Sequence, residues 1–264
     1  MRGAAAVIGL LALLFTPLQP TQVAAQASKT AGPFSNWTAV VVAGDFHAHS
    51  GGPTEAFDNA RRDVSRALVG LGFDKAAIQQ FSVRPERYPS DSLGRADART
   101  IYDALRIKAQ TAKAGCLFYL SSHGSPEGAI LGEDVLRPHL LAAMLNDACP
   151  GRPSVVVISA CFSGVFIPPL QKSDRLVLTA ARPDRASFGC GEDDKYPYFD
   201  DCFLSTAPKA KDFAALGAGV QACVAHREKE TGAKPASEPQ VWIGPTLRPM
   251  LPLYAFDRSK PQTP

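Results

Sequence analysis

The sequence predicts an α/β fold with a mostly parallel sheet covered by helices on both sides, and two observations predict it. Short apolar runs alternate along the chain with stretches of helical period. The strongest runs are apolar on both faces rather than at alternate positions, as strands buried between two helical layers must be.

The elements follow in order. Trp37 to Ala43 (WTAVVVA) reads as a first strand, running into Gly44-Asp45-Phe46-His47-Ala48-His49 and a flexible Ser50-Gly51-Gly52-Pro53. Thr54 to Leu71 has helical period, with Phe57, Ala60, Val64, Leu68 and Leu71 on one face and Gly70 and Gly72 as its stop. Ile78 to Val83 is a weaker strand, and a proline- and charge-rich loop follows through Gly94. A helix over Ala96–Thr111 leads to a strand over Leu117–Ser121 and a turn-rich insert around Ser125-Pro126-Glu127-Gly128. A helix over Pro138–Asp147 precedes a strand over Ser154–Ser159, and Leu176 to Ala180 forms another. Arg182 to Lys209 has few periodic runs and many turn formers, so long loops are expected there. Asp212 to Glu230 reads as the last helix and Val241-Trp242-Ile243 as a final strand. The tail after Pro245 carries four further prolines and reads as poorly folded.

Composition bounds the function class. The chain of 264 residues is 45% hydrophobic and 20% charged, which suits one globular domain with a substantial core. Its net charge of +3 gives no case for nucleic acid as a partner. The N-terminus has a short basic start at Met1-Arg2-Gly3, an apolar stretch from Ala4 to Phe15 and a small-residue exit through Ala27. That pattern predicts a signal peptide over residues 1–27 and export to a periplasmic or extracellular space. The apolar stretch is too short for a membrane span, which needs about 20 residues. A domain over 28–245 and a proline-rich tail over 246–264 complete the expected organisation.

Export favours disulfides among the six cysteines. Cys116 and Cys149 each precede one of the two best strands, so parallel pairing brings them together at one edge of the sheet. Cys190, Cys202 and Cys223 form a second group able to make one bridge. No pair has CxxC spacing, which argues against structural zinc; no cofactor is expected.

The chemistry lies at two strand ends. CLFYLSSHG closes on His123-Gly124 and SVVVISACFSG runs through Cys161, so side-by-side strands place a histidine and a thiol on one sheet edge. An imidazole beside a thiol lowers its pKa and activates it as a nucleophile. Gly124 lets a substrate carbonyl approach the backbone, and its N–H and that of Cys161 are natural oxyanion donors. Asp45, His47 and His49 form a competing candidate, an Asp-x-His-x-His set able to bind a metal. No Gly-x-Ser-x-Gly elbow or phosphate-cradling glycine loop is present.

Together these segments resemble the legumain-type cysteine peptidases. FYLSSHGSPEGAIL resembles the family's histidine strand, and VVVISACFSG its nucleophile strand ending in Ala-Cys-x-Ser-Gly. LTAARPDRASFGC resembles the strand and loop that follow, TAVVVAG the first strand, and FDNARRDV the helix after it. The resemblance implies a caspase-like three-layer sandwich and an endopeptidase acting on peptide or protein substrates. It implies Cys161 as nucleophile, His123 as acid–base partner, and an oxyanion hole from Gly124 and Cys161. Some relatives pass the acyl group to an amine, which keeps transpeptidation open. Asp201 aligns roughly with an acidic residue that recognises the side chain before the scissile bond. Ser159 and Phe162 stand where the family carries acidic residues beside the nucleophile, and Asn59-Ala60 where it carries an Arg-His pair. Asparagine specificity is therefore not implied. Metacaspases share Ser-x-His-Gly and Cys-x-Ser-Gly and would imply cleavage after Arg or Lys. A non-catalytic caspase-like binding module and an exported metal-binding protein are the readings from other classes.

Overall fold

The computed structural model describes residues 32–257; the predicted signal peptide lies outside them. Seven strands form the central sheet: β1 (Trp37–Ala43), β2 (Ile78–Ser82), β3 (Gly94–Arg95), β4 (Gly115–Ser121), β8 (Ser154–Ser159), β9 (Arg175–Thr179) and β10 (Gln240–Ile243). Their spatial order is β10-β9-β8-β4-β1-β2-β3. All pairs are parallel except β10 on β9, which is antiparallel. Every residue of β1, β4, β8 and β9 is buried, as their unbroken apolar runs require.

Alternate residues of these strands feed two cores. One face, with Ala39, Val41, Leu117, Tyr119, Val155 and Val157, packs on α1 (Ala56–Gly70), α5 (Tyr198–Thr206) and α6 (Phe213–Thr231). The other, with Val40, Val42, Phe118, Leu120, Val156 and Ile158, packs on α2 (Ala98–Thr111), α3 (Pro138–Ala148) and the single turn α4 (Ile167–Leu170). The result is a three-layer α/β/α sandwich, as the resemblance implied. Side-chain caps fix two helix starts: Asp97 accepts from Thr100 N at 2.8 Å, and Asp212 from Ala215 N at 2.8 Å. Gly232, at φ 70°, ends α6 in the left-handed conformation that glycine adopts freely.

Three regions differ from the sequence expectation. The insert after His123 is a small antiparallel sheet of β5 (Gly124–Ser125), β6 (Gly128–Leu131) and β7 (Asp134–Leu136). The stretch read as long loops contains α5, whose Phe199, Cys202 and Phe203 join the core. The tail read as poorly folded is docked as far as Asp257: Leu247 and Phe256 are buried, and Phe256 N donates to Lys211 O at 2.9 Å. Pro249 and Pro252 sit in a 3₁₀ turn over Arg248–Tyr254, which tolerates them because few intrahelical bonds are at stake.

Two disulfides form, Cys116–Cys149 and Cys202–Cys223, while Cys161 and Cys190 are free and buried. The first bridge is the one expected from strand placement; the second ties α5 to α6. Among the described residues no helix is long and apolar enough to cross a membrane.

Candidate active site

β4 and β8 run parallel in a register that pairs Ser121 with Ser159, and Ser122 N donates to Ser159 O at 3.0 Å. His123 and Cys161 each stand two residues beyond that pair. Because side chains alternate, both continue the row that faces α1, α5 and α6.

Gly124 holds the two strand ends close. A Cβ there would collide with the carbonyl of Cys161 and lie 3.0 Å from the Cβ of Ala160, so only glycine fits. Ile130 N donates to His123 O at 2.9 Å, which makes residues 123 and 130 a hydrogen-bonded pair of the small sheet. Pairs alternate in an antiparallel ladder, so the next pair, Gly124 with Ala129, exchanges no bonds. The Gly124 N–H therefore points away from β6. The Cys161 N–H has no hydrogen-bond partner among the described residues, which leaves two donors beside the thiol.

The imidazole is oriented from β1's far end. His123 Nε2 donates to the backbone carbonyl of His47 at 2.8 Å, since a carbonyl can only accept. This tautomer leaves Nδ1 as the acceptor. Phe57 of α1 meets the ring edge-on at 5.0 Å, and His49 lies 5.0 Å from it. The His47 loop is fixed by Asp45, whose Oδ1 accepts from Phe46 N, His47 N and His47 Nδ1 at 2.7, 3.0 and 2.8 Å.

Cys161 is 5% exposed. Its Sγ accepts from Ser187 N at 3.3 Å and lies 3.6 Å from both the carbonyl and the hydroxyl of Ser187. Thiol and imidazole are not hydrogen-bonded to each other here, and catalytic contacts of this kind often close only around substrate. The chain turns sharply after the thiol: Phe162 takes φ 58°, a left-handed conformation costing about 1–2 kcal/mol for a side-chain-bearing residue. Its N–H is anchored on Arg185 O at 2.7 Å.

Directly beneath the pair lies Asp200 of α5, fully buried. Its carboxyl accepts from Tyr119 OH, from Ser121 Oγ at 2.9 Å and from Ser159 Oγ at 2.7 Å. Burial pushes its pKa up to about 6, against the three hydroxyl donors that favour the anion. Burial and this carboxyl together raise the Tyr119 phenol well above its usual range. Burial also raises the Cys190 thiol, with contributions from Cys161, Asp200, Asp194 and Asp45.

The expected pocket residues are placed as follows. Ser159 lies under the strand ends and is spent on Asp200. Asp201 turns the other way, to an ion pair with Arg227 of α6, so the inward position belongs to its neighbour Asp200. Asn59 sits on α1 and donates to Lys195 O at 3.2 Å, away from the thiol's partners. Asp45 and His47 bond each other rather than converging with His49, and no group of three or more metal-competent side chains occurs among the described residues. Sequence reasoning missed the His47 carbonyl, which carries no side-chain signal. It also missed Ser187, which acts through its backbone, and it chose Asp201 over Asp200, whose inward phase is visible only once α5 is known to be a helix.

Comparison with known proteins now decides the family. The peptidase C13 family model matches residues 93–223, from β3 into α6, and that span holds His123, Gly124, Cys161 and Asp200. The chain is a legumain-type cysteine peptidase. Caspase-1 from Spodoptera frugiperda shares the fold, with a TM-score of 0.58 at 16% identity over 81% of this chain and 88% of that one. No curated protein matches the chain. Membership of this peptidase family makes proteins the substrate class.

Proposed function

We propose that this legumain-type peptidase is an exported endopeptidase that cleaves peptide bonds through Cys161 and His123. The observation that carries the reading is the paired register of β4 and β8. It sets imidazole and thiol two residues beyond partnered serines, with Gly124 pressed on the Cys161 carbonyl.

The chemistry runs in two halves. Cys161 Sγ, its proton taken up by His123 Nδ1, attacks the scissile carbonyl carbon. The oxyanion is received by the N–H groups of Gly124 and Cys161. Its collapse breaks the C–N bond, and His123 returns the proton to the departing amine, leaving a thioester. His123 then takes a proton from water, which attacks the thioester. The second collapse releases the acid, and the proton restores the thiol. The His47 carbonyl keeps the ring's tautomer and plane fixed throughout, and Ser187 N–H stabilises the sulfur anion.

A specific observation favours a basic residue before the scissile bond: Asp45, Asp194 and Asp200 all lie close enough to act on the Cys190 thiol, as does Cys161. Reporter peptides carrying Arg, Lys or Asn at that position separate the options, and equal turnover of all three would remove this preference.

The dyad is tested by labelling the mature protein with a peptide electrophile and locating the adduct. Labelling is expected at Cys161, absent in Cys161→Ala and strongly slowed in His123→Ala. Undiminished labelling of His123→Ala would sink the dyad. Export is tested by N-terminal sequencing of secreted protein, with a start just after residue 27 expected.

A further inference from the structure

The mechanism above leaves one buried ionisable group unused. Asp200 is wholly enclosed, yet its carboxyl bonds hydroxyls from both strands that carry the dyad, Ser121 of β4 and Ser159 of β8. Those serines are register partners and each lies two residues, about 7 Å of strand, before His123 and Cys161. A third hydroxyl, Tyr119, comes from one step lower on β4.

We infer that Asp200 is a positioning residue of the dyad: one carboxylate spans the two strand ends, sets the spacing of His123 and Cys161, and holds a negative charge beneath them. The inference rests on the Cys161–His123 reading. A hydroxyl from either strand alone would anchor α5 equally well. Donors from both make the carboxylate a clasp across the catalytic pair. The titratable groups facing this region are Tyr119 from β4, Cys161 beyond β8, Asp45 beyond β1, and Cys190 and Asp194 from the loop before α5. On α5 itself, Asp201 is neutralised by Arg227. Helix α5 is fixed against α6 by the Cys202–Cys223 bridge, so the carboxyl cannot retreat from the strand ends.

The test follows Cys161 alkylation by iodoacetamide, read by mass spectrometry across pH, together with peptide turnover. Asp200→Asn keeps the shape and removes the charge. Its amide nitrogen cannot accept a hydroxyl proton, so one side of the clasp is lost and kcat should fall severalfold with KM unchanged. Below about pH 6, where Asp200 itself is protonated, the two kcat profiles should converge. Ser159→Ala keeps the charge and removes one side of the clasp. It should lower kcat severalfold with KM unchanged, and have no added effect in the Asp200→Asn background. Coincident kcat profiles of wild type and Asp200→Asn, or a Ser159→Ala enzyme with full kcat, would overturn the inference while the dyad stands. If His123→Ala leaves wild-type alkylation unchanged, the dyad fails and the inference falls with it.

Discussion

The two ends of the parallel sheet are made of opposite materials. At the end where the strands begin, Phe34, Trp37, Phe73, Phe213, Tyr254 and Phe256 interlock through stacked and edge-on contacts, such as Phe34 on Phe73 at 4.8 Å. The Cys116–Cys149 bridge lies at the same end. At the end where the strands stop, hydroxyls, a carboxyl, an imidazole and a thiol gather instead, with Phe57 against the imidazole. Apolar packing is non-directional and stabilises wherever area is buried. Catalysis needs directed polar groups that cost free energy to enclose. Separating the two lets one end supply stability while the other carries polar groups and a left-handed Phe162.

Substitutions can break this division of labour. At the polar end, Cys161→Ala and His123→Ala should each reduce peptide turnover by about a thousandfold or more, with the melting temperature little changed. A large loss of stability in either would merge the two ends into one. At the aromatic end, Trp37→Ala empties a fully enclosed site and should cost about 3–5 kcal/mol in denaturant unfolding. Turnover per folded molecule should stay at the wild-type value. Replacing Cys116 and Cys149 by serine opens a loop of 33 residues and should cost about 2–4 kcal/mol, again leaving the chemistry intact.

The smallest effect sharpens the picture. Burial raises the Asp200 pKa to about 6 from the usual 3.8, so the native state binds the extra proton between those values. Its contribution is fully present below the unfolded pKa and is lost as pH rises through about 6. The melting temperature of the wild type should therefore fall relative to Asp200→Asn between about pH 4 and pH 6. A constant difference over that range would mean the carboxyl does not titrate there.

These contrasts also explain what the sequence could reveal. Strands β1 and β8 are legible to the residue because their apolar runs are unbroken, and the proposed dyad residues His123 and Cys161 stand just past the runs of β4 and β8. Helix α5 was not legible. It is nine residues long and turns the charged Asp200 into the core, which destroys the amphipathic pattern that betrays a helix. Without that phase, Asp200 and Asp201 are indistinguishable neighbours. The docked tail was hidden by its prolines, although Leu247 and Phe256 carry the apolar signal. The His47 carbonyl was invisible for a deeper reason: a backbone acceptor exists at every residue, and only the fold selects one.

The Cys116–Cys149 bridge has a mechanical consequence. It fastens the start of β4 to the segment leading into β8, while Asp200 fastens their ends. Two rungs, one covalent and one hydrogen-bonded, bar the strands from sliding past each other. A slip of one residue would turn every side chain to the opposite face and carry thiol and imidazole apart. Pulling or heating should therefore loosen the outer strands first, and the Cys161–His123 pair should be among the last features to lose its spacing.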